Sequence, residues 1–109
     1  MRQKGGRRID ATVDREGSGL DARGDREALG RALFGAQRYE QAAVEFEAVT
    51  AQAPTNDFAL FCLGRSLQML GRHAEARKPL ALAACLQPGR RDYRLYRDRA
   101  RARATGTGA

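Results

Sequence analysis

The sequence predicts an all-α fold: a short α-solenoid of two helix hairpins closed by one capping helix. Three observations carry this. A shift of 34 superimposes residues 23 to 56 on residues 57 to 90 with seven identities, pairing Leu29 with Leu63, Gly30 with Gly64, Arg31 with Arg65, Leu33 with Leu67, Arg38 with Arg72, Ala42 with Ala76 and Pro54 with Pro88. Such self-similarity at one period is the signature of stacked supersecondary units. Within each unit the apolar residues recur at helical spacing. The chain is also 42% hydrophobic but only 6% aromatic, with alanine prominent, so its core is built from small and aliphatic side chains at close approach, as between packed helices.

Residues 1–22 mix charges of both signs with glycine and offer Ile9, Val13 and Leu20 as their aliphatic side chains. That segment cannot bury a face and is expected to be disordered, with helix starting near Gly24 or Asp25 and Asp25 available as an N-cap. Helices are predicted near 25–36, 39–52, 57–70, 73–86 and 90–103. Leu29 and Leu33 give the first an apolar stripe; after a turn at Ala36 to Arg38, Ala42, Ala43, Phe46 and Val49 do the same for the second. Mid-helix glycine costs roughly 1 kcal/mol against alanine, so Gly30 and Gly64 imply a facing helix too close for a side chain, with Ala42 and Ala76 expected opposite. Pro54 and Pro88 close the second helix of each unit, and Pro79 should bend the fourth helix or move its start later.

Residues 90–104 supply a fifth helix. Continuing the repeat register strictly would place Arg94, Arg97, Asp98 and Arg101 at buried positions, which no core accepts. A slip of one residue puts Tyr93, Tyr96 and Ala100 against the fourth helix and leaves the charged residues toward water, as in a solvating cap. Residues 105–109 have no apolar anchor and are expected to be mobile.

The repeating unit, with a Leu-Gly pair in its first helix, Ala42 or Ala76 early in the second, a bulky apolar residue four places on and a closing proline, resembles the tetratricopeptide repeat (TPR). The residues carrying the resemblance are Leu29, Gly30, Ala42, Phe46, Val49 and Pro54, then Leu63, Gly64, Ala76, Leu80, Ala83 and Pro88. The aromatic residues usual in that family near the start of the first helix and at position 11 are missing, with Arg26 and Leu60, and Leu33 and Leu67, in their places. The resemblance implies a TPR domain over residues 23–104, with repeats 23–56 and 57–90 stacked with right-handed twist and a capping helix at 90–104. It also implies a non-catalytic protein-binding module or adaptor.

Composition and motifs narrow the function classes further. No stretch approaches the roughly 18 to 20 apolar residues of a membrane span, and the start lacks a secretory core, which leads to an expectation of a soluble, cytoplasmic protein. Cys62 and Cys85 lack metal-ligand spacing, and His73 is the one histidine, so no metal or other cofactor is expected; both cysteines read as small buried hydrophobes. His73 with Ser66 and Glu75 makes no catalytic set, and no enzyme is expected.

The resemblance implies that the first helices line a concave groove. Mapped onto this chain it holds Glu27, Arg31 and Phe34, then Phe58, Phe61, Arg65, Gln68 and Met69, with Arg94 and Arg101 completing it. Aromatic, methionine and arginine side chains together suit a protein or peptide partner of acidic character. Arg31 and Glu27 stand where carboxylate-clamp TPR domains carry asparagine and lysine, so binding of chaperone tails is not expected. Two alternatives remain. Phe58 and Phe61 could be covered in a homodimer. The chain carries twenty Lys or Arg against thirteen Asp or Glu, with six basic and two acidic residues in 91–109, so the C-terminal arginines could bind nucleic acid or an anionic surface. Read as circling their helix rather than forming a stripe, they make nucleic acid the less favoured partner.

Overall fold

A computed structural model describes residues 19–105, with side chains from residue 24 onward. Five helices follow in order: α1 (Gly19–Gly35), α2 (Tyr39–Gln52), α3 (Asp57–Met69), α4 (His73–Leu86) and α5 (Arg91–Ala104). No strand occurs among the described residues, and each helix packs on the next. The expected boundaries of α2 to α5 lie within one residue of those found. Only α1 differs, beginning at Gly19, so that Asp25 lies inside the helix rather than capping it. No proline precedes Pro54, and a helical glycine such as Gly24 costs only about 1 kcal/mol, so nothing local stops α1 at Asp25. The tails expected at 1–22 and 105–109 lie outside the described residues apart from 19–22, which are helical, and Thr105.

The repeat is present in the backbone itself. At the hairpin turns Gln37 and Gly71 both adopt the left-handed conformation, with φ of 64° and 79°. Around them the amides of Gln37 and Gly71 donate to Phe34 and Gln68, and those of Arg38 and Arg72 donate to Leu33 and Leu67. The residues preceding α2 and α4 match, Arg38 at φ −94°, ψ 70° and Arg72 at φ −89°, ψ 66°. So do those ending them, Ala53 at φ −133°, ψ 77° and Gln87 at φ −131°, ψ 74°. Identical turn chemistry from partly different residues means the fold is set by helix packing and the closing prolines rather than by any one turn residue.

Each hairpin closes on a glycine, as expected, but the facing residue is not the expected alanine. A Cβ on Gly30 would lie 2.9 Å from the Phe46 ring, and one on Gly64 would run into the Leu80 side chain. Ala42 and Ala76 are fully buried, yet the close approach at the glycines is made by the bulky residues four places on. Leu80 sits in a core with Ala43, Leu67, Ala76 and Ala100; a second cluster joins Leu60, Ala83, Ala84 and Tyr93. Pro79 is accommodated inside α4, which still starts at His73 and runs unbroken to Leu86. Cys62 is half-buried and Cys85 exposed, both as free thiols, so the expectation of two buried cysteines fails at Cys85, which lies on the outer face of α4.

The fifth helix packs through the expected stripe: Tyr93 and Ala100 are fully buried and Tyr96 packs against the core, while none of Arg94, Arg97, Asp98 and Arg101 is buried. The helix begins at Arg91, one full repeat period after Asp57 opens α3, so this stripe arises without any shift of the helix itself. Tyr93 and Ala100, both fully buried, occupy the positions of Ala59 and Ser66 in α3, which are equally buried. The positions of Leu60, Gly64 and Leu67, which in α3 face its own hairpin partner α4, fall on Arg94, Asp98 and Arg101. With no further helix following in the described residues, that face meets solvent and needs no apolar side chains. The opposite end mirrors this: Leu29, expected in the core, is 47% exposed, whereas its counterpart Leu63 packs beside Ala43 and Leu67. No hairpin precedes α1 to cover it among the described residues.

Candidate functional site

The side chains that α1 and α3 present at spacings i, i+3, i+4 and i+7 converge on one pocket. Arg31 and Phe34 come from α1; Phe58, Phe61, Cys62 and Arg65 come from α3; Phe46 of α2 reaches it from the hairpin core. The cavity measures about 220 Å³. Three of its four rings have structural ties. Phe46 is fully buried, Phe34 packs edge-on to Tyr39 at 5.0 Å, and Phe61 stacks on Tyr93 at 4.6 Å and meets Tyr96 edge-on at 5.7 Å. Phe58 is 38% exposed, and no other aromatic ring holds it. It is the partly exposed apolar wall of the site.

Two arginines give the apolar pocket its charge. Arg65 is half-buried, its guanidinium 4.0 Å from the Tyr96 ring centroid and 6.0 Å from that of Phe34, and its Nη1 donates to Gln68 Oε1 at 3.2 Å. Gln68 Nε2 in turn donates to the Tyr96 carbonyl at 3.0 Å, so α5 fixes the Arg65 geometry across the stack. An aromatic face attracts the cation without neutralising it. Arg31 is exposed, and among the described residues neither arginine meets a carboxylate in an ion pair. Burial, with a smaller push from the Glu27 carboxylate, drives the Cys62 thiol up to about 12 against the opposing pull of Arg31 and Arg65. At neutral pH it is therefore a protonated, weakly nucleophilic wall of the pocket.

Of the residues expected in the groove, Arg31, Phe34, Phe58, Phe61 and Arg65 are brought together and Gln68 supports them. Four others are not. Glu27 accepts from Asn56 Nδ2 at 3.0 Å while Asn56 Oδ1 caps the Ala59 amide at 3.1 Å, so the carboxylate ties α1 to the start of α3. Met69 is 47% exposed at the end of α3, outside the pocket. Arg94 Nη1 donates to the Pro88 carbonyl, and Arg101 lies in a different depression with Arg77, Lys78 and Arg97. Arg94 and Arg101 belong to the end of the stack because α5 keeps the register and turns that face away from the groove.

Phe46, Cys62 and Tyr96 were missed as site residues. Cys62 was legible, four residues after Phe58 and three before Arg65 on one helix face. Tyr96 was legible too, as the counterpart of Cys62 one repeat further on, once the register is carried into α5. Phe46 gave no such signal, because a single ring serves both the hairpin core and the pocket floor.

Among the described residues no group of three or more His, Cys, Asp or Glu side chains gathers to hold a metal ion, and no helix is long and apolar enough to cross a membrane. No known family model matches the chain, and comparison with curated proteins returns no match.

Proposed function

We propose that the chain is a TPR-type binding module, non-catalytic, that takes a segment of a protein partner across the pocket between α1 and α3. The observation that carries this reading is the pocket's composition: four phenylalanines around about 220 Å³, flanked by two arginines that form no ion pair among the described residues. An apolar side chain of the partner would enter between Phe58 and Phe61. An acidic neighbour would meet Arg31, whose guanidinium offers two parallel donors to a carboxylate. Arg65 is already oriented by Tyr96 and Gln68, so little side-chain freedom is lost when it engages a ligand.

Selection of random peptides displayed on phage against the full chain, followed by fluorescence anisotropy on the enriched sequence, tests the reading. Phe58 is partly exposed and unstacked, so Phe58→Ala leaves the fold intact and is expected to weaken binding about tenfold, in the range of a buried aromatic anchor. Arg31→Gln should weaken acidic peptides more than neutral ones. No enrichment, or an enriched peptide that binds both variants as well as the parent, contradicts the proposal. A dimer that dissociates on Phe58→Ala would instead assign the pocket to self-association.

A further inference from the structure

A second surface is built at the end of the stack, independent of the pocket. The positions that are apolar in α3, Leu60, Leu63 and Leu67, become Arg94, Arg97 and Arg101 one repeat period later in α5. Their spacing of three and four residues keeps them within one stripe of the helix rather than spread around it. Arg97 and Arg101 then meet Arg77 and Lys78 of α4 around a depression of about 350 Å³ floored by Ala74 and Ala81. Asp98 reaches two of these cations, Arg97 at 2.9 Å and Arg101 at 4.0 Å. Arg77 and Lys78 have no carboxylate partner among the described residues. Four cations from two rigid helices thus share one carboxylate.

We infer that this depression binds the phosphate backbone of duplex nucleic acid, without reading its sequence. The chemistry selects this occupant. Guanidinium groups match phosphate oxygens bidentately. Arg97 and Arg101 are separated by about 6 Å along the helix axis. A duplex presents a phosphate about every 3.4 Å of its axis on each strand, so the rigid pair on α5 and the pair on α4 can place each of the four cations on a phosphate of its own. An anionic membrane would need large apolar side chains beside the cations to enter the interface, and the floor offers only the methyl groups of Ala74 and Ala81. No aromatic ring lines the depression to stack an unpaired base, which disfavours a single strand.

The test uses the full chain and a fluorescent duplex of random sequence, with binding measured between about 50 and 200 mM salt. About four phosphate contacts predict an affinity that falls on the order of 100-fold across that range. The paired substitution Arg97→Gln/Arg101→Gln should weaken binding about tenfold at the lower salt and make the salt slope shallower by about two. Arg99→Gln/Arg103→Gln removes the same charge from the opposite face of α5 and should change affinity less than about threefold. Should the first pair lose helix content, Arg77→Gln/Lys78→Gln on α4 provides the same readout. Equal losses from both α5 pairs, no duplex binding at the lower salt, or a preference for phosphatidylserine vesicles over the duplex would each overturn the inference.

Discussion

A Cβ at Gly64 meets the fully buried Leu80 side chain, which has no room to retreat. Gly64→Ala should therefore destabilise the fold by about 1 to 3 kcal/mol despite alanine's better helix propensity, read as a drop in the urea midpoint. Gly64→Ala that melts like the parent would refute the close contact; with Leu80→Ala added, the two costs should sum to more than the double variant shows. Gln37 holds a left-handed φ of 64° that its counterpart Gly71 adopts freely, so Gln37→Gly should stabilise by about 1 kcal/mol and Gly71→Ala should do the reverse. Two buried groups set an alkaline limit. The thiol of Cys62 is raised from 9.0 to about 12, chiefly by burial. The Tyr93 hydroxyl is raised from 10.0, first by burial and then by its 2.8 Å bond to Asp57. Both groups are neutral in the fold and ionise more readily when unfolded, so their contribution is full below pH 9 and lost as pH rises above it. The urea midpoint should fall between pH 9 and 11, and Cys62→Ala should flatten part of that fall; a midpoint constant to pH 11 would contradict the assignment. At this scale the sequence located the glycines but not their partners. Spacing shows that a helix comes close at Gly30 and Gly64; which side chain fills the approach depends on helix rotation, and that placed Phe46 and Leu80 there instead of Ala42 and Ala76.

At the level of elements, a helix in a stack has two faces, one toward the preceding hairpin and one toward its own partner. The middle helix α3 buries both. At the end, α5 buries only Tyr93 and Ala100, toward the preceding hairpin, and exposes the arginine stripe where a partner would pack. The five helices and both ends of four of them, α2 to α5, were legible because each turn and proline marks a local stop. The packing stripe of α5, Tyr93, Tyr96 and Ala100, was legible too, because arginines cannot fill a core; that it forms without a shift of the helix was not, because not every apolar position of the repeat is buried in a helix with one packed face. The same reasoning explains exposed Leu29 at the other end. Restoring the α3 pattern by Arg94→Leu, Arg97→Leu and Arg101→Leu should create an apolar face able to accept another helix. Light scattering should then show a concentration-dependent dimer; a strictly monomeric triple variant would argue that the stripe is not the free end of the stack.

Across the whole molecule, charge and apolarity divide between two surfaces. The pocket between α1 and α3 combines aromatic walls with two arginines, one of them held in place by α5, and the depression between α4 and α5 carries cations over a floor of methyl groups. Five of the expected groove residues converge because the repeat superimposes α1 on α3; Arg94 and Arg101 do not, because the same repeat carries them to the end of the stack. The thiols provide a direct reporter, since Cys62 lines the pocket and Cys85 lies on the outer face of α4. The decisive measurement is the alkylation rate of each cysteine, followed by mass spectrometry at mildly alkaline pH, in the free chain and in the chain saturated with a peptide selected against it. A segment lying across the pocket should slow Cys62 about tenfold or more by excluding the reagent while Cys85 reacts unchanged. If the peptide binds and Cys62 keeps its rate, the concave pocket is not where partners are held.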